Sequence, residues 1–158
     1  MAKFRREVLV RFAHCDGAGW VFYPRYFEMV SDFVEDWFAA GLGTSVPELM
    51  RRQAILTPSV HFTVDFLKPA RFGDRLLFTL DVRAIGRTSC ELQIEASLAG
   101  QTRMRMRQVL VLISAATGRA VAIPPRLVRR MHKFLAKPSN TPRGARRSPQ
   151  RRPRRSPA

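Results

Sequence analysis

Between residues 22 and 38, apolar side chains recur in steps of three and four: Phe22, Tyr26, Phe27, Val30, Phe33, Val34, Trp37 and Phe38. On an α-helix these positions form one broad stripe, and Glu28, Asp32, Glu35 and Asp36 fall mainly off it. Pro24 suits a first helical turn, where its missing N–H costs nothing, and Gly41 suits the stop, so the spacing predicts a helix over about residues 24–40. Ahead of it, residues 4–13 alternate with the period of a strand: Val8, Val10 and Phe12 to one side, Glu7, Leu9 and Arg11 to the other.

More alternating runs follow. After a short helical piece near 45–53, residues 57–67 set Val60, Phe62, Val64 and Phe66 against His61, Thr63 and Asp65. Leu76, Phe78, Leu80, Val82 and Ala84 form the inward set of the next strand. Residues 89–99 oppose Cys90, Leu92, Ile94, Ala96 and Leu98 to Glu91, Gln93, Glu95 and Ser97. Residues 103–115 oppose Met104 and Met106 to Arg103, Arg105 and Arg107, then become apolar on both sides, which predicts a strand central along part of its length. "KPARFGD", "IGRTS" and "ATGRA" are turns, and "PPRLVRRMHKFL" is a short basic helix with Leu127, Val128, Met131 and Leu135 as its apolar positions. A strand, a long helix and four strands on short turns make an α+β fold, an antiparallel sheet around one buried helix.

Composition adjusts this picture at the C-terminus. The 158 residues suit one domain, and 46% hydrophobic content is enough for a sizeable core. The net charge of +16 suggests a nucleic-acid partner until it is divided: residues 137–158 hold 8 Lys and Arg and no acid, while the rest of the chain holds 20 against 12. Half of the excess therefore lies in a Pro/Arg/Ser-rich segment with nothing to bury, which predicts a folded domain over residues 1–136 and a disordered basic tail over 137–158. Such a tail can touch nucleic acid, anionic lipid or an acidic partner through salt-sensitive electrostatics, or remain simply solvated.

No run of 18 apolar residues occurs, and "MAKFRREVLV" lacks the apolar core and cleavage site of a secretory signal, so the expected location is cytoplasmic. Cys15 and Cys90 make neither a disulfide framework nor a CxxC pair. The consecutive His14, Cys15 and Asp16 diverge in extended chain, and no second ligand group stands at a recognisable spacing; no metal and no cofactor is expected.

The segment "CDGAGWVFYPRYFEMVSDFVEDWF" resembles the signature of the 4-hydroxybenzoyl-CoA thioesterase family of hotdog-fold proteins, roughly Asp-x-x-Gly-x-Val-x-Tyr-x-x-Tyr, with Asp16, Gly19, Val21, Tyr23 and Tyr26 in the matching places. "FLKPARFGDRL" resembles the family's segment after its second strand, and the likeness continues to about residue 135. The resemblance implies a hotdog fold, a five-stranded antiparallel sheet wrapped around one long helix, and hydrolysis of a small aromatic or short-to-medium acyl-CoA. It implies Asp16 as the catalytic carboxylate and the backbone amide of Tyr23 as the group polarising the thioester. Thr57, in "LTPS", resembles the family's Thr-Pro near the acyl group. Arg87, with Ser89 or Thr88 beside it, resembles its basic hairpin at the coenzyme A nucleotide. Gly19 and Tyr26 are further substrate-binding candidates, Tyr26 reading equally as core, and Arg126, Arg129 and Arg130 are candidates for phosphate contact or simply a solvated basic face. Arg25 stands where the benzoyl-CoA enzymes often carry Asn, so the 4-hydroxybenzoyl group itself is not specified. The family works as homodimers, some paired into tetramers, with active sites between subunits.

The residues alone leave alternatives. Thioester hydrolysis needs an activated water or a nucleophile, together with donors for the carbonyl oxyanion. A lone aspartate before a helix start offers the first, and the orphan amides and positive dipole end of that helix offer the second. Asp16 can equally serve only to bond the amides of a turn, and His14 can either assist it or be a hydrogen-bonded loop histidine. Gly17 and Gly19 allow the loop to pass close to a substrate. His61 reads as an ordinary sheet-face residue. Beside the thioesterase stand a protein that binds acyl thioesters without turnover or hydrates them, and a nucleic-acid or anionic-surface binder dominated by the tail.

Overall fold

The computed structural model describes residues 2–136; the expectations for the tail at 137–158 lie outside the described residues. The chain runs β1 (Phe4–Leu9), α1 (Tyr23–Asp36), α2 (Val46–Gln53), β2 (Ile55–Leu56), β3 (Ser59–Phe66), β4 (Arg75–Ile85), β5 (Ser89–Leu98), β6 (Gln101–Val111), β7 (Ile113–Ser114) and α3 (Pro125–Met131). Five strands form one antiparallel sheet in the order β1-β4-β5-β6-β3, and β2 pairs with β7 as a small second sheet.

The helix forms where the apolar stripe predicts it, with Pro24 in its first turn and Tyr26, Met29, Val30, Phe33 and Val34 buried. That face meets the inward rows of the sheet, Leu76, Phe78, Leu80 and Val82 of β4, Cys90, Leu92, Ile94 and Ala96 of β5, and Met104 and Met106 of β6. Phe33 packs at 5.5 Å from both Phe4 and Phe78, joining helix to sheet near its middle. The opposite face of the sheet is polar. Glu95 pairs with Arg105 at 2.7 Å, and Glu91 with Arg107. These exposed cross-strand pairs add little stability, but they neutralise two of the β6 arginines that would otherwise make a basic stripe.

Three expectations need correction. The first strand stops at Leu9 because Val10 turns to exchange backbone bonds with Asp74 and Gly73, and Phe12, expected inward, falls in a 3₁₀ turn with 82% of its surface exposed. Ala84, expected inward, is exposed: a bulge between Val82 and Ala84 slips the phase, and Ile85 packs instead. Gly41 is not the helix stop but the last residue of a π turn, Trp37–Gly41. There a Cβ would lie 2.7 Å from the Trp37 ring, so close packing requires glycine, and the left-handed residue is Gly43 at φ +62°. β6 lies between β5 and β3, and beyond Arg107 its residues Val109 to Val111 are apolar on both faces, as expected, while Gln108 is the polar residue in its buried row.

β3 lies at one edge of the sheet, with Val60 60% exposed and Phe62 and Phe66 also open. No helix among the described residues is long and apolar enough to cross a membrane.

Candidate active site

The loop between β1 and α1 is folded by Asp16 itself. Its Oδ1 accepts the amides of Ala18 (2.9 Å) and Trp20 (3.3 Å), while its backbone N–H donates to Trp20 O and its carbonyl accepts from Gly19. The turn role open in the sequence is therefore present, but it uses one carboxylate oxygen. Oδ2 takes no hydrogen bond from the described residues. Gly19 stands at φ +76°, a conformation costly for other residues, and nothing lies where its Cβ would be. Its place is in the turn, not on the cleft wall.

Asp16 opens onto a cleft of about 340 Å³ that it lines with Trp20, Tyr23, Tyr26, Phe66 and Lys68. Tyr23 is the first residue of α1, and its N–H is absent from every backbone bond outside the helices. Pro24 has no N–H and Arg25 donates back to Phe22 O, so the Tyr23 amide is the donor left over in the first turn. The structure thus brings Asp16, Tyr23 and Tyr26 to one cleft. Tyr26 is core and wall at once: its ring lies 5.5 Å from Phe66, and burial pushes its phenol up to about 12. Its hydroxyl is buried with no partner among the described residues.

Thr57 is elsewhere. It lines a second cleft of about 440 Å³ between α1, α2, β3 and β6, with Phe27, Ser31, Glu35, Ser59, Phe62 and Gln108. The ladder shows the separation: Phe66 pairs with Met104 and Ser59 with Leu110, seven residues apart along β3, or about 23 Å. Arg87 and Ser89 stand at the Ser59 end, since Ser89 pairs with Val111 and Val111 N–H donates to Pro58 O. Within one chain the structure therefore does not unite Thr57, Arg87 and Ser89 with Asp16. Arg130 is engaged with Leu42 O, and Arg126 lines a separate polar cavity with Glu48 and Arg52.

Two residues of the second cleft were missed by sequence reasoning. Glu35 reads as solvent-facing, which it is, yet it lies beside the groove. Gln108 is 4% exposed; its Nε2 donates to Ser59 Oγ at 2.7 Å and its Oε1 is buried without a partner among the described residues, at a cost of about 1–3 kcal/mol. A single glutamine in phase with Met104 and Met106 was the available signal.

His14 does not share the Asp16 cleft. Its Nδ1 accepts the Arg11 amide at 3.0 Å, and its ring lines a groove between β1 and α1 with Arg11, Glu28 and Asp32. Burial, then the Arg11 and Arg25 guanidiniums, push its imidazole below the ordinary 6.5, against a weaker opposite pull from Glu28 and Asp32. The unfolded chain therefore takes up a proton at pH 6.5 where the folded chain does not, and stability falls as pH drops through and below that value. The loss of thermal midpoint between pH 7.5 and about pH 5.5 should be smaller in His14→Gln than in the wild type; an equal loss would show that His14 does not contribute to it. His61 is exposed on β3, with Nε2 3.4 Å from Thr63 Oγ1.

Relatives of the chain carry the same architecture. A 1,4-dihydroxy-2-naphthoyl-CoA hydrolase of Synechocystis is 28% identical over 126 residues, covering 78% of this chain and 91% of that one. The crystal structure of a 1,4-dihydroxy-2-naphthoyl-CoA thioesterase from Synechocystis superposes with a TM-score of 0.77 at 25% identity, covering 84% of this chain and 98% of that one. A thioesterase superfamily structure from Jannaschia reaches 0.79 at 17% identity, over 86% and 95% of the two chains, which speaks for the hotdog fold alone. The sequence pattern of the thioesterase-like superfamily matches residues 10–131, from the end of the first strand through the last helix, and the chain belongs to that superfamily.

Proposed function

We propose that the protein hydrolyses the thioester of an aromatic acyl-coenzyme A, giving the free acid and coenzyme A. The observation that carries this reading is that one cleft is lined both by Asp16, one of whose oxygens takes no hydrogen bond from the described residues, and by Tyr23, which opens α1 with an amide unclaimed among them. A carbonyl oxygen docked on the Tyr23 N–H is polarised and, once the carbon is attacked, its oxyanion is held by that amide and the positive end of α1. Asp16 either takes a proton from the attacking water or attacks the carbon itself to give an anhydride that water then opens. By either route hydroxide is added to the acyl carbon, the C–S bond breaks, and the proton goes to the departing thiolate.

An aromatic acyl group is favoured because relatives over most of the chain's length are named for naphthoyl-CoA, and because Tyr26, Phe66, Phe27 and Phe62 line the clefts. No observation favours 4-hydroxybenzoyl over other aromatic groups.

The reading includes a homodimer through β3. A two-fold axis normal to the sheet pairs this edge with its own copy in antiparallel sense and covers its open apolar side chains. The Ser59 end of one copy then meets the Phe66 end of the other. That juxtaposition joins the Asp16 cleft to the second cleft across the subunits, and brings Thr57, Arg87 and Ser89 to the site they do not reach within one chain. A pairing of two such dimers into a tetramer is compatible with it.

A panel of acyl-CoA esters followed by release of free thiol tests the function. Aromatic esters, naphthoyl above benzoyl, should turn over fastest, with aliphatic esters slower. No thiol release from any ester would overturn the proposal in favour of an acyl-thioester binding protein.

A further inference from the structure

We infer that the corner of the sheet where β1 ends and β4 begins, capped by Phe12 and Phe72, docks peripherally on an anionic lipid surface; this goes beyond the thioesterase reading and does not depend on it. Phe12 and Phe72 are the two most exposed large apolar side chains among the described residues, at 82% and 62%. Their rings meet edge to face at 6.3 Å, and neither belongs to the core or packs against it. Leu9 and Leu77 add exposed apolar surface on the nearby strand ends. A solvated loop gains nothing by holding two phenyl rings in water, so the pair points to something that covers it.

The corner is held in place by its own backbone. Val10 N–H donates to Asp74 O (2.8 Å), Gly73 N–H to Val10 O (2.9 Å) and Cys15 N–H to Phe12 O (3.0 Å), which ties the two loops together. Rings presented on such a frame lose little freedom on docking. Arg11 and Arg71, each one residue from a phenylalanine, are exposed and in no ion pair among the described residues. Two acids at this corner are engaged, Glu7 by Arg75 at 2.9 Å and Asp74 by the Arg71 amide at 2.8 Å. Apolar side chains that can sink below the headgroups, with guanidiniums beside them to meet the phosphates, suit a lipid interface.

Charge chooses the lipid. The chain carries +16, half of it in residues 137–158, so an anionic bilayer attracts the protein before any ring inserts. A small apolar insertion and a basic segment together make the two signals that a stable peripheral contact needs. Other occupants fit less well. The two rings expose on the order of 300 Å², well under the roughly 800 Å² per partner of a standard protein interface, so a second copy gains too little here. A nucleic-acid strand needs platforms on which successive bases stack, whereas these rings cross at 85°. Phe72 N–H also donates to Gly19 O at 3.4 Å, and Trp20 bridges to Arg71, so the docked corner adjoins the loop that carries Asp16.

The test is co-sedimentation of the full-length protein with two sets of vesicles, phosphatidylcholine alone and phosphatidylcholine mixed with phosphatidylglycerol. The wild type should bind the mixed vesicles at least about 10-fold tighter than the neutral ones, and the difference should shrink as salt rises. The double variant Phe12→Ser/Phe72→Ser keeps the whole basic segment and loses only exposed rings; its affinity for the mixed vesicles should fall by about 10-fold or more, with the thermal midpoint kept. Phe12→Trp should bind as the wild type does and gain fluorescence that lipids brominated on their acyl chains quench. No binding by the wild type, equal affinity for the two lipids, or equal affinity of the wild type and the double variant would each overturn the inference, the last by leaving the basic segment alone responsible. A double variant that binds vesicles normally but elutes as a smaller species on gel filtration, or whose lost affinity is for a single-stranded oligonucleotide, would overturn it in favour of a second copy or a nucleic acid. Should the double variant not fold, Phe12→Trp decides the matter: added emission that the brominated lipids leave unquenched rejects the docking. Neither measurement uses an acyl-CoA, so failure of the thioesterase reading would leave the lipid contact standing.

Discussion

Asp16→Asn should lower the turnover of the preferred acyl-CoA by about 10²-fold or more and leave the fold intact. Asparagine is nearly isosteric, and its Oδ1 can still accept the Ala18 and Trp20 amides that shape the loop. What it removes is the carboxylate oxygen not engaged in the turn, replaced by an amide nitrogen that can neither accept a proton from water nor attack a carbonyl carbon. The loss should fall mainly on kcat, because binding of the acyl and nucleotide parts uses other groups. Asp16→Ala would be less informative, since it also strips the turn of two hydrogen bonds. Glu35→Gln is the sharper companion: Glu35 is the carboxylate that lines the second cleft, it is exposed, and its replacement should cost far less than that of Asp16. Should Asp16→Asn retain activity while Glu35→Gln abolishes it, the carboxylate assignment moves from the loop to the helix, and full activity in both would remove carboxylate catalysis altogether.

Much of the fold is legible in the sequence because its periodicities are long and unmixed. The α1 stripe and the alternation of β5 each span enough residues that one face is unmistakably apolar, and the resulting elements agree with the structure to within a few residues. The failures lie where a local event resets the phase. Nothing in the composition of 82–85 announces the bulge that exposes Ala84, and Phe12 alternates correctly on paper until Val10 binds Asp74 and Gly73 and the chain leaves the sheet. Gly41 shows a different limit: its residue type signals a break, but its reason is the Trp37 ring pressed against it, a tertiary contact.

The site divides in the same way. Asp16, Tyr23 and Tyr26 lie within eleven residues and fall on one cleft because a turn and a helix start fix their relation locally. Thr57, Arg87 and Ser89 come from distant segments, and their relation to Asp16 depends on how far along the sheet they sit, which a linear pattern does not contain. Gln108 escapes notice because one polar residue in an inward row carries no weight in a periodicity, although in the packed structure its Oε1 is one of the buried polar atoms with no partner among the described residues.

Thr63→Asp should separate the proposed dimer and take activity with it. Thr63 is exposed near the middle of β3, on the face with His61 and Asp65, and its partner within the chain is Arg107 of β6. A new carboxylate there is exposed and lies beside the Arg107–Glu91 pair of its own subunit, so the monomer should fold as before. Across a two-fold axis through the middle of the strand, however, the two introduced carboxylates would face each other or lie diagonally, within about 5–8 Å, with Asp65 of each copy close by. Like charges set against each other at an interface cost several kcal/mol, so the dissociation constant should rise by about 100-fold or more. Gel filtration at micromolar concentration should then give a monomer where the wild type gives a dimer. The activity carries the decisive signature: if the Asp16 cleft needs the second cleft of another subunit, specific activity of Thr63→Asp will be low when dilute and recover as protein concentration rises, because mass action restores the pair. A damaged fold would lose activity equally at every concentration. A monomeric Thr63→Asp with full, concentration-independent activity would mean that one chain holds a complete site and that the edge of β3 plays no part in it.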